Sequence, residues 1–222
     1  MKRLTRLCNK YGSDKGTAGE DSHGFSEFYE PFFTGLESPK ILEIGVREGA
    51  FEKAISDFYD GDCLIYCVDI VDCESFFDGW NNIKFFKCDC GNEEDVQNLI
   101  HEFDSIKFDI VIDDASHYWA HQFLSILYFR RTVKDGGLFI VEDLHSSYDD
   151  SYRGDIIVNE SPLVYIAGLY PSQFFTPEEN KEISESISEV FLYSKYNPDG
   201  LYGEEQFKRS VTAVLKIDRH GV

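Results

Sequence analysis

The stretch FDIVIDDASHYWAHQ, residues 108–122, decides how the rest of the chain is read. An apolar run, Ile110-Val111-Ile112, breaks off into two adjacent carboxylates, Asp113 and Asp114, with Ser116 and His117 close behind. One helix-and-strand unit later the pattern returns in GGLFIVEDLHSSY: apolar Leu138 to Val141, then Glu142, Asp143 and His145. Like charges packed at the end of buried strands repel one another and are costly to desolvate, so they require a compensating partner.

Working outward, apolar runs alternate with amphipathic stretches from residue 40 to 145. Lys40–Ile44, Leu64–Val68 (ending at Asp69) and Ile83–Lys87 (ending near Asp89) read as short buried strands. Helical spacing is expected over Ala50–Tyr59, over Glu93–Phe103 behind a plausible Asn92 N-cap, and over Tyr118–Val133. Strands without polar alternation, separated by helices, predict a doubly wound α/β fold with a mostly parallel sheet covered on both faces. Ligands in such folds bind beyond the carboxyl ends of the strands, where Asp69, Asp89, Asp113, Asp114, Glu142 and Asp143 all lie. Residues 188–194 and 210–217 read as two closing strands joined by the turn Asn197-Pro198-Asp199-Gly200. Residues 1–38 are expected to be helices capping the sheet edge, and residues 146–187 an irregular or helical insertion above the site. No internal repeat or linker breaks the pattern, so one domain over residues 1–222 is expected.

Composition narrows the function. Hydrophobic content of 42% with 15% aromatic residues fits a folded chain with a substantial core. The 41 acids against 21 bases, a net charge of −20, argue against nucleic acid, whose binding needs a positive surface. No run of about 18 apolar residues points to a membrane span. The start MKRLTRLCNKYGSDKG lacks the apolar core of a secretory signal. Six cysteines without a Cys-x-x-Cys pair read as buried thiols rather than zinc ligands, and a cytoplasmic location is expected.

LEIGVREGAF, residues 42–51, supplies a glycine turn opening a helix, where backbone amides can approach a polar ligand. Only Gly45 and Gly49 are present, which leaves the dinucleotide fingerprint incomplete and disfavours an NAD enzyme. Glu43 sits just before it inside an apolar strand, Asp69 is placed to take ribose hydroxyls, and Asp89 to take an adenine amino group. The ordered set Glu43-x-Gly45-x-x-x-Gly49, Asp69, Asp89 resembles the class I S-adenosylmethionine-dependent methyltransferases. That resemblance implies a seven-stranded Rossmann-like sheet ending in an antiparallel hairpin.

YGSDKGT (11–17), EIGVREGAF (43–51), DDASH (113–117) and VEDLHSSY (141–148) narrow it. They resemble the metal-dependent sugar O-methyltransferases of macrolide biosynthesis and the related cephalosporin-hydroxylase-type proteins, best over residues 9 to 148. The resemblance implies S-adenosylmethionine and Mg²⁺ as cofactors and a sugar-containing small molecule as acceptor. It places the metal on Asp114, Glu142 and Asp143, makes His117 the general base, and lets Asp14-Lys15-Gly16-Thr17 close over the donor. The donor would accordingly meet Lys15, Thr17, Glu43, Gly45, Gly49, Asp69, Asp89 and Asp113. His145 and Tyr148 follow the metal acids and either touch substrate or merely pack.

The residues themselves point the same way: three carboxylates without a cysteine form a hard, oxygen-rich site suited to Mg²⁺, Ca²⁺ or Mn²⁺. Alternatives stay open. Asp114 and Ser116 could simply cap the following helix, and His117 with His121 could share a helix face. A metal-independent methyltransferase and a non-catalytic accessory protein that binds donor and metal are the competing functions. Only about 38 residues precede the first strand, so the large N-terminal auxiliary region of the macrolide enzymes is not expected here. That leaves oligomeric state open, a homo-oligomer being one option.

Overall fold

The structure, a computed structural model, describes residues 1–19, 22–154, 158, 160–168, 171–196 and 209–219. In chain order its elements are α1 (Arg3–Tyr11), α2 (Phe25–Phe33), β1 (Lys40–Ile44), α3 (Ala50–Phe58), β2 (Leu64–Asp69), β3 (Ile83–Lys87) and α4 (Glu93–Phe103). They are followed by β4 (Phe108–Asp113), α5 (Trp119–Tyr128), β5 (Val133–Val141), α6 (Pro162–Gly168), α7 (Pro177–Ser186), β6 (Ile187–Tyr196) and β7 (Arg209–Ile217). The seven strands form one sheet in the order β3-β2-β1-β4-β5-β7-β6, parallel through β5 and antiparallel at β7 and β6.

The expected strands stand where the apolar runs placed them. Asn92 caps α4, its side chain accepting from the Glu94 and Asp95 amides. The helix expected over Tyr118–Val133 ends instead at Tyr128; a 3-10 turn, Phe129–Thr132, then leads straight into β5. Both closing strands are present, while the turn proposed at Asn197–Gly200 falls outside the described residues.

Alternate side chains of the parallel strands serve two apolar layers. Leu42, Val111 and Phe139 face α4, α5 and α6, while Ile41, Ile110 and Ile112 face α1, α2 and α3. Helices α1 and α2 therefore cover a sheet face rather than its edge, contrary to the sequence expectation. Their bulky Leu4, Phe25, Tyr29 and Phe33 are fully buried, and the Tyr29 hydroxyl bonds to Thr212 Oγ1 of β7 at 2.7 Å. Apolar area of that kind stabilises by roughly 25 cal/mol per Å², enough to prefer the face to the rim.

The segment 146–187 likewise packs sideways. Phe123 of α5 stacks on Phe174 and meets Tyr165 and Phe175 edge-on. The buried guanidinium of Arg130 ties this layer down by donating to the Ile126 carbonyl, Ser186 and Glu182. Among the described residues, no helix is long and apolar enough to cross a membrane.

Strand register sets the functional end. Ile44 pairs with Val68 and with Asp113, and Asp113 pairs with Val141. Gly45, Asp69, Asp114 and Glu142 thus emerge side by side, one residue beyond that common row. The chain reverses direction of travel between β1 and β4, which is where a doubly wound sheet opens its crevice.

Candidate active site

The crevice is a cleft of about 840 Å³ at this switch point. Its floor depends on Gly45, whose φ of +91° is accessible to glycine, and where an added Cβ would lie 2.1 Å from the Asp114 carbonyl oxygen. Close approach there lets the Gly45 amide donate to the Val68 carbonyl and the Asp114 amide to the Ile44 carbonyl, both at 2.8 Å. The Val46 amide in turn donates to Asp69 Oδ2 at 2.9 Å, and Gly91 to Asp89 Oδ1 at 2.9 Å. From the N-terminal side the loop after α1 joins the wall, held by an Asp14–Arg47 ion pair of 3.1 Å.

Of the residues expected at the site, Lys15, Glu43, Gly45, Asp69, Asp89, Asp114, His117 and Asp143 line this cleft. The centre of the cluster is Lys15, buried with 3% exposure. Its ammonium donates to Asp114 Oδ2 and lies 3.3 Å from Glu142 Oε2 and 3.6 Å from Glu43 Oε1. Burial pushes the carboxyls of Glu43, Asp114 and Glu142 upward, each opposed by Lys15, and the net shift is upward in all three. Burial would discharge Lys15, but Asp114, Glu142 and Glu43 outweigh it and raise its pKa well above the ordinary value. One ammonium among several buried carboxylates leaves an excess of negative charge.

Asp143 is treated differently. Burial again pushes it up, yet His23, His117, His145 and Lys15 prevail and hold its carboxyl below the usual range. His117 Nε2 lies 3.4 Å from Asp143 Oδ2, and His23 Nδ1 lies 3.4 Å from Asp143 Oδ1. Both His117 (φ 61°) and Asp143 (φ 50°) adopt the left-handed backbone region, a conformation costing non-glycine residues about 1–2 kcal/mol and concentrated at functional sites. Among the described residues, ligand atoms of Asp114, His117 and Asp143 lie within 4.8 Å of one another. Glu142 Oε1 and Asp143 Oδ1 are buried without a hydrogen-bond partner there. A hard divalent cation fits this donor set: convergent carboxylate oxygens, surplus charge and orphaned acceptors.

Other expected residues sit elsewhere. Glu142 is buried behind Lys15 rather than on the cleft surface. Thr17 is exposed and exchanges hydrogen bonds with Asn9, outside the cleft wall. Gly49 caps the start of α3 against Phe77 and does not itself line the cleft, although its neighbours Glu48 and Ala50 do. Asp113 points away toward α5, where burial, partly offset by the nearby Ser125 hydroxyl and His117, lifts its carboxyl to about 6. His145 is buried beside Asp143, and Tyr148 is 62% exposed on a 3-10 turn beyond it. No described residue of 146–187 lines the cleft; from that segment Tyr152 sets its ring 5.8 Å from that of Tyr118, just ahead of α5.

The capping alternative for Asp114 and Ser116 fails, because α5 starts behind Tyr118 with no side-chain cap. Ser116 instead bonds His121 Nδ1 at 2.6 Å. His117 lies before the helix, so it shares no helical face with His121. Sequence reasoning missed two things: that Lys15, while lining the cleft, also pairs with the acids, and that His23 lies against Asp143. A lysine and a histidine in a polar leader carry no local signal of either role.

With this geometry in place, the fold is that of the class I S-adenosylmethionine-dependent methyltransferases, the seven-stranded mixed sheet being shared with solved members. The MycE methyltransferase of the mycinamycin biosynthetic pathway, solved with Mg, SAH and mycinamycin VI, superposes with a TM-score of 0.75 at 21% identity, covering 99% of this chain and 54% of that one. An O-methyltransferase from Bacillus cereus solved with SAH gives 0.56 at 13% identity, covering 96% and 90%.

In sequence, the chain is similar to sugar O-methyltransferases over part of its length. It is 27% identical over 157 residues to the 8-demethyl-8-alpha-L-rhamnosyl tetracenomycin-C 2'-O-methyltransferase of Streptomyces olivaceus, covering 68% of this chain and 40% of that protein. It is 30% identical over 142 residues to the mycinamicin VI 2''-O-methyltransferase of Micromonospora griseorubida, covering 60% and 34%. The matched segments thus span about two fifths of these curated relatives or less. No family model matches the chain.

Proposed function

We propose that this chain is a Mg²⁺-dependent O-methyltransferase that uses S-adenosylmethionine to methylate a hydroxyl of a sugar or comparable vicinal-diol small molecule in the cytoplasm. The single observation that carries the reading is the cluster at the β1/β4 switch point, where Asp114 and Asp143 on the cleft wall converge with His117 and the buried Glu142 lies behind them. Kinship with sugar O-methyltransferases supports the acceptor class. The charge of −20 speaks against a polyanionic acceptor.

In this reading Asp69 accepts the donor's ribose hydroxyls and Asp89 its adenine amino group, both from strand ends on the cleft wall. Asp114, Asp143 and the orphaned oxygen of Glu142 would hold the metal. When bound, Mg²⁺ supplies positive charge that makes a vicinal diol a better nucleophile. An alcohol otherwise titrates near bulk water, at about 15.7, so proton removal must accompany attack on the methyl group. The His117 imidazole, facing Asp143, takes that proton, and Asp143 steadies the imidazolium as it forms. The remainder of catalysis is positioning: the donor's sulfonium is already activated, and the protein aligns oxygen, methyl and sulfur.

A second reading rests on Lys15. Its ammonium already compensates Asp114 and Glu142, as a metal-independent methyltransferase would require. The two separate in calorimetry of S-adenosylhomocysteine binding to chelator-stripped protein, followed by Mg²⁺ titration with and without the nucleoside. Nucleoside binding plus a Mg²⁺ site abolished by Asp114→Ala is expected. Nucleoside binding with no Mg²⁺ heat would select the metal-independent enzyme. Failure to bind the nucleoside at all would reject the methyltransferase reading.

A further inference from the structure

We infer that His23, a residue of the N-terminal segment outside the sheet, is a positioning residue that aims the Asp143 carboxylate into the metal site; this rests on the reading of Asp143 as a metal ligand. His23 is 2% exposed, with its ring against Phe25 at 4.9 Å and stacked on His145 at 6.0 Å. Its Nδ1 lies 3.4 Å from Asp143 Oδ1, and neither atom has a hydrogen-bond partner among the described residues. The other carboxylate oxygen, Oδ2, faces His117 Nε2 at the same distance. Asp143 therefore lies among three imidazoles, with His23 and, at 3.7 Å, His145 facing Oδ1 and His117 facing Oδ2, and His23 makes the nearer contact on its oxygen.

That arrangement has work to do, because Asp143 sits at φ 50°, in a backbone conformation that does not keep itself in place. Strained ligands persist only where their surroundings over-determine them. His23 is itself held firmly: its amide donates to the Asp14 carbonyl at 2.8 Å, and the Gly24 and Ser26 amides donate to Gly16 and Lys15 carbonyls at 2.9 Å each. The same segment delivers Lys15 to Asp114 and Glu142. Lys15 and His23 thus place a nitrogen against every acid assigned to the metal, so their seating and metal affinity are coupled.

Partners that orient metal ligands are worth about 10–100-fold in metal affinity. The test is Mg²⁺ calorimetry in the presence of saturating S-adenosylhomocysteine on the unmodified protein, His23→Ala and His23→Asn, whose amide can reproduce the Nδ1 donor. His23→Ala is expected to weaken Mg²⁺ about 10–100-fold while nucleoside affinity in chelator stays within about twofold, and His23→Asn to recover most of the loss. Equal Mg²⁺ affinity in His23→Ala and unmodified protein overturns the proposal. So does equal weakening in both variants, which marks a packing role. Should His23→Ala fail to fold, His23→Asn against His23→Phe decides: the proposal requires the first to bind Mg²⁺ nearly normally and the second, which keeps a packed ring but has no nitrogen to face Asp143, to lose about 10–100-fold, and equal Mg²⁺ affinity in the two overturns it. Absence of Mg²⁺ binding in the unmodified protein would reject the metal reading beneath it, a distinct result.

Discussion

The carboxylates at the ends of β2 and β3 and those at the ends of β4 and β5 look alike in sequence but live under opposite conditions. Asp69 and Asp89 are partly exposed and accept local backbone amides, from Val46, Val71 and Gly91. They cost little and remain wet enough to trade a water for a ligand hydroxyl or amino group. Asp114, Glu142 and Asp143 sit deeper, with burial acting on all three and compensation coming from side chains far away in sequence: Lys15, His23 and His117. The difference teaches that one half of the cleft is built to recognise and the other to hold charge.

That contrast can be broken by mutation, most severely at the proton acceptor. His117→Ala is expected to lower kcat by about 10²–10⁴-fold while leaving S-adenosylhomocysteine affinity nearly intact. Steady-state kinetics beside calorimetry would expose parallel losses of both, which would remove His117 from the chemistry.

Next in size is Lys15→Met. Taking the cation from buried carboxylates typically costs about 3–5 kcal/mol, and urea unfolding should show it. A stability loss below about 1 kcal/mol would mean the acids protonate freely and need no cation.

Glu52 tests the same physics at the margin of the charged cluster, where it pushes Glu43 further up. It is buried on α3, where burial lifts its carboxyl from 4.5 to about 8, moderated by a backbone hydrogen bond and Lys15. A raised carboxyl favours the folded state fully below pH 4.5, and that contribution is lost as pH rises through about 8. Glu52→Gln should therefore be more stable than the unmodified chain at pH 8.5, by on the order of 5 kcal/mol, and indistinguishable from it at pH 4. A constant difference across that window would refute the assignment.

Smallest is Asp69→Ala, expected to weaken S-adenosylhomocysteine roughly tenfold, about 1.4 kcal/mol, with Mg²⁺ affinity unchanged. A larger effect on the metal than on the nucleoside would merge the two halves of the cleft.

Much of this was legible in the chain. The apolar run Lys40–Ile44 marked a parallel strand to the residue, because a strand buried on both faces tolerates no polar alternation, and Ile83–Lys87 was marked as well although it forms the half-exposed edge. Acids placed just past those runs had to gather at one end of the sheet. Elements whose position depends on competition between surfaces were less legible. Helices α1 and α2 took a face because their aromatic residues bury more area there, and 146–187 moved sideways onto α5 because Phe123 offered a partner for Phe174 and Phe175.

The sequence by itself determined the strand order's raw material, the glycine turn at Gly45 and the row of carboxylates, since periodicity and strand ends are local properties. Which cation meets which carboxylate was decided only by tertiary structure. Lys15 reaches Asp114 across 99 residues of chain, and His23 reaches Asp143 from a loop of the same segment. Such pairings follow from where helices settle on a sheet face, an outcome of the whole core's packing that no window of sequence contains.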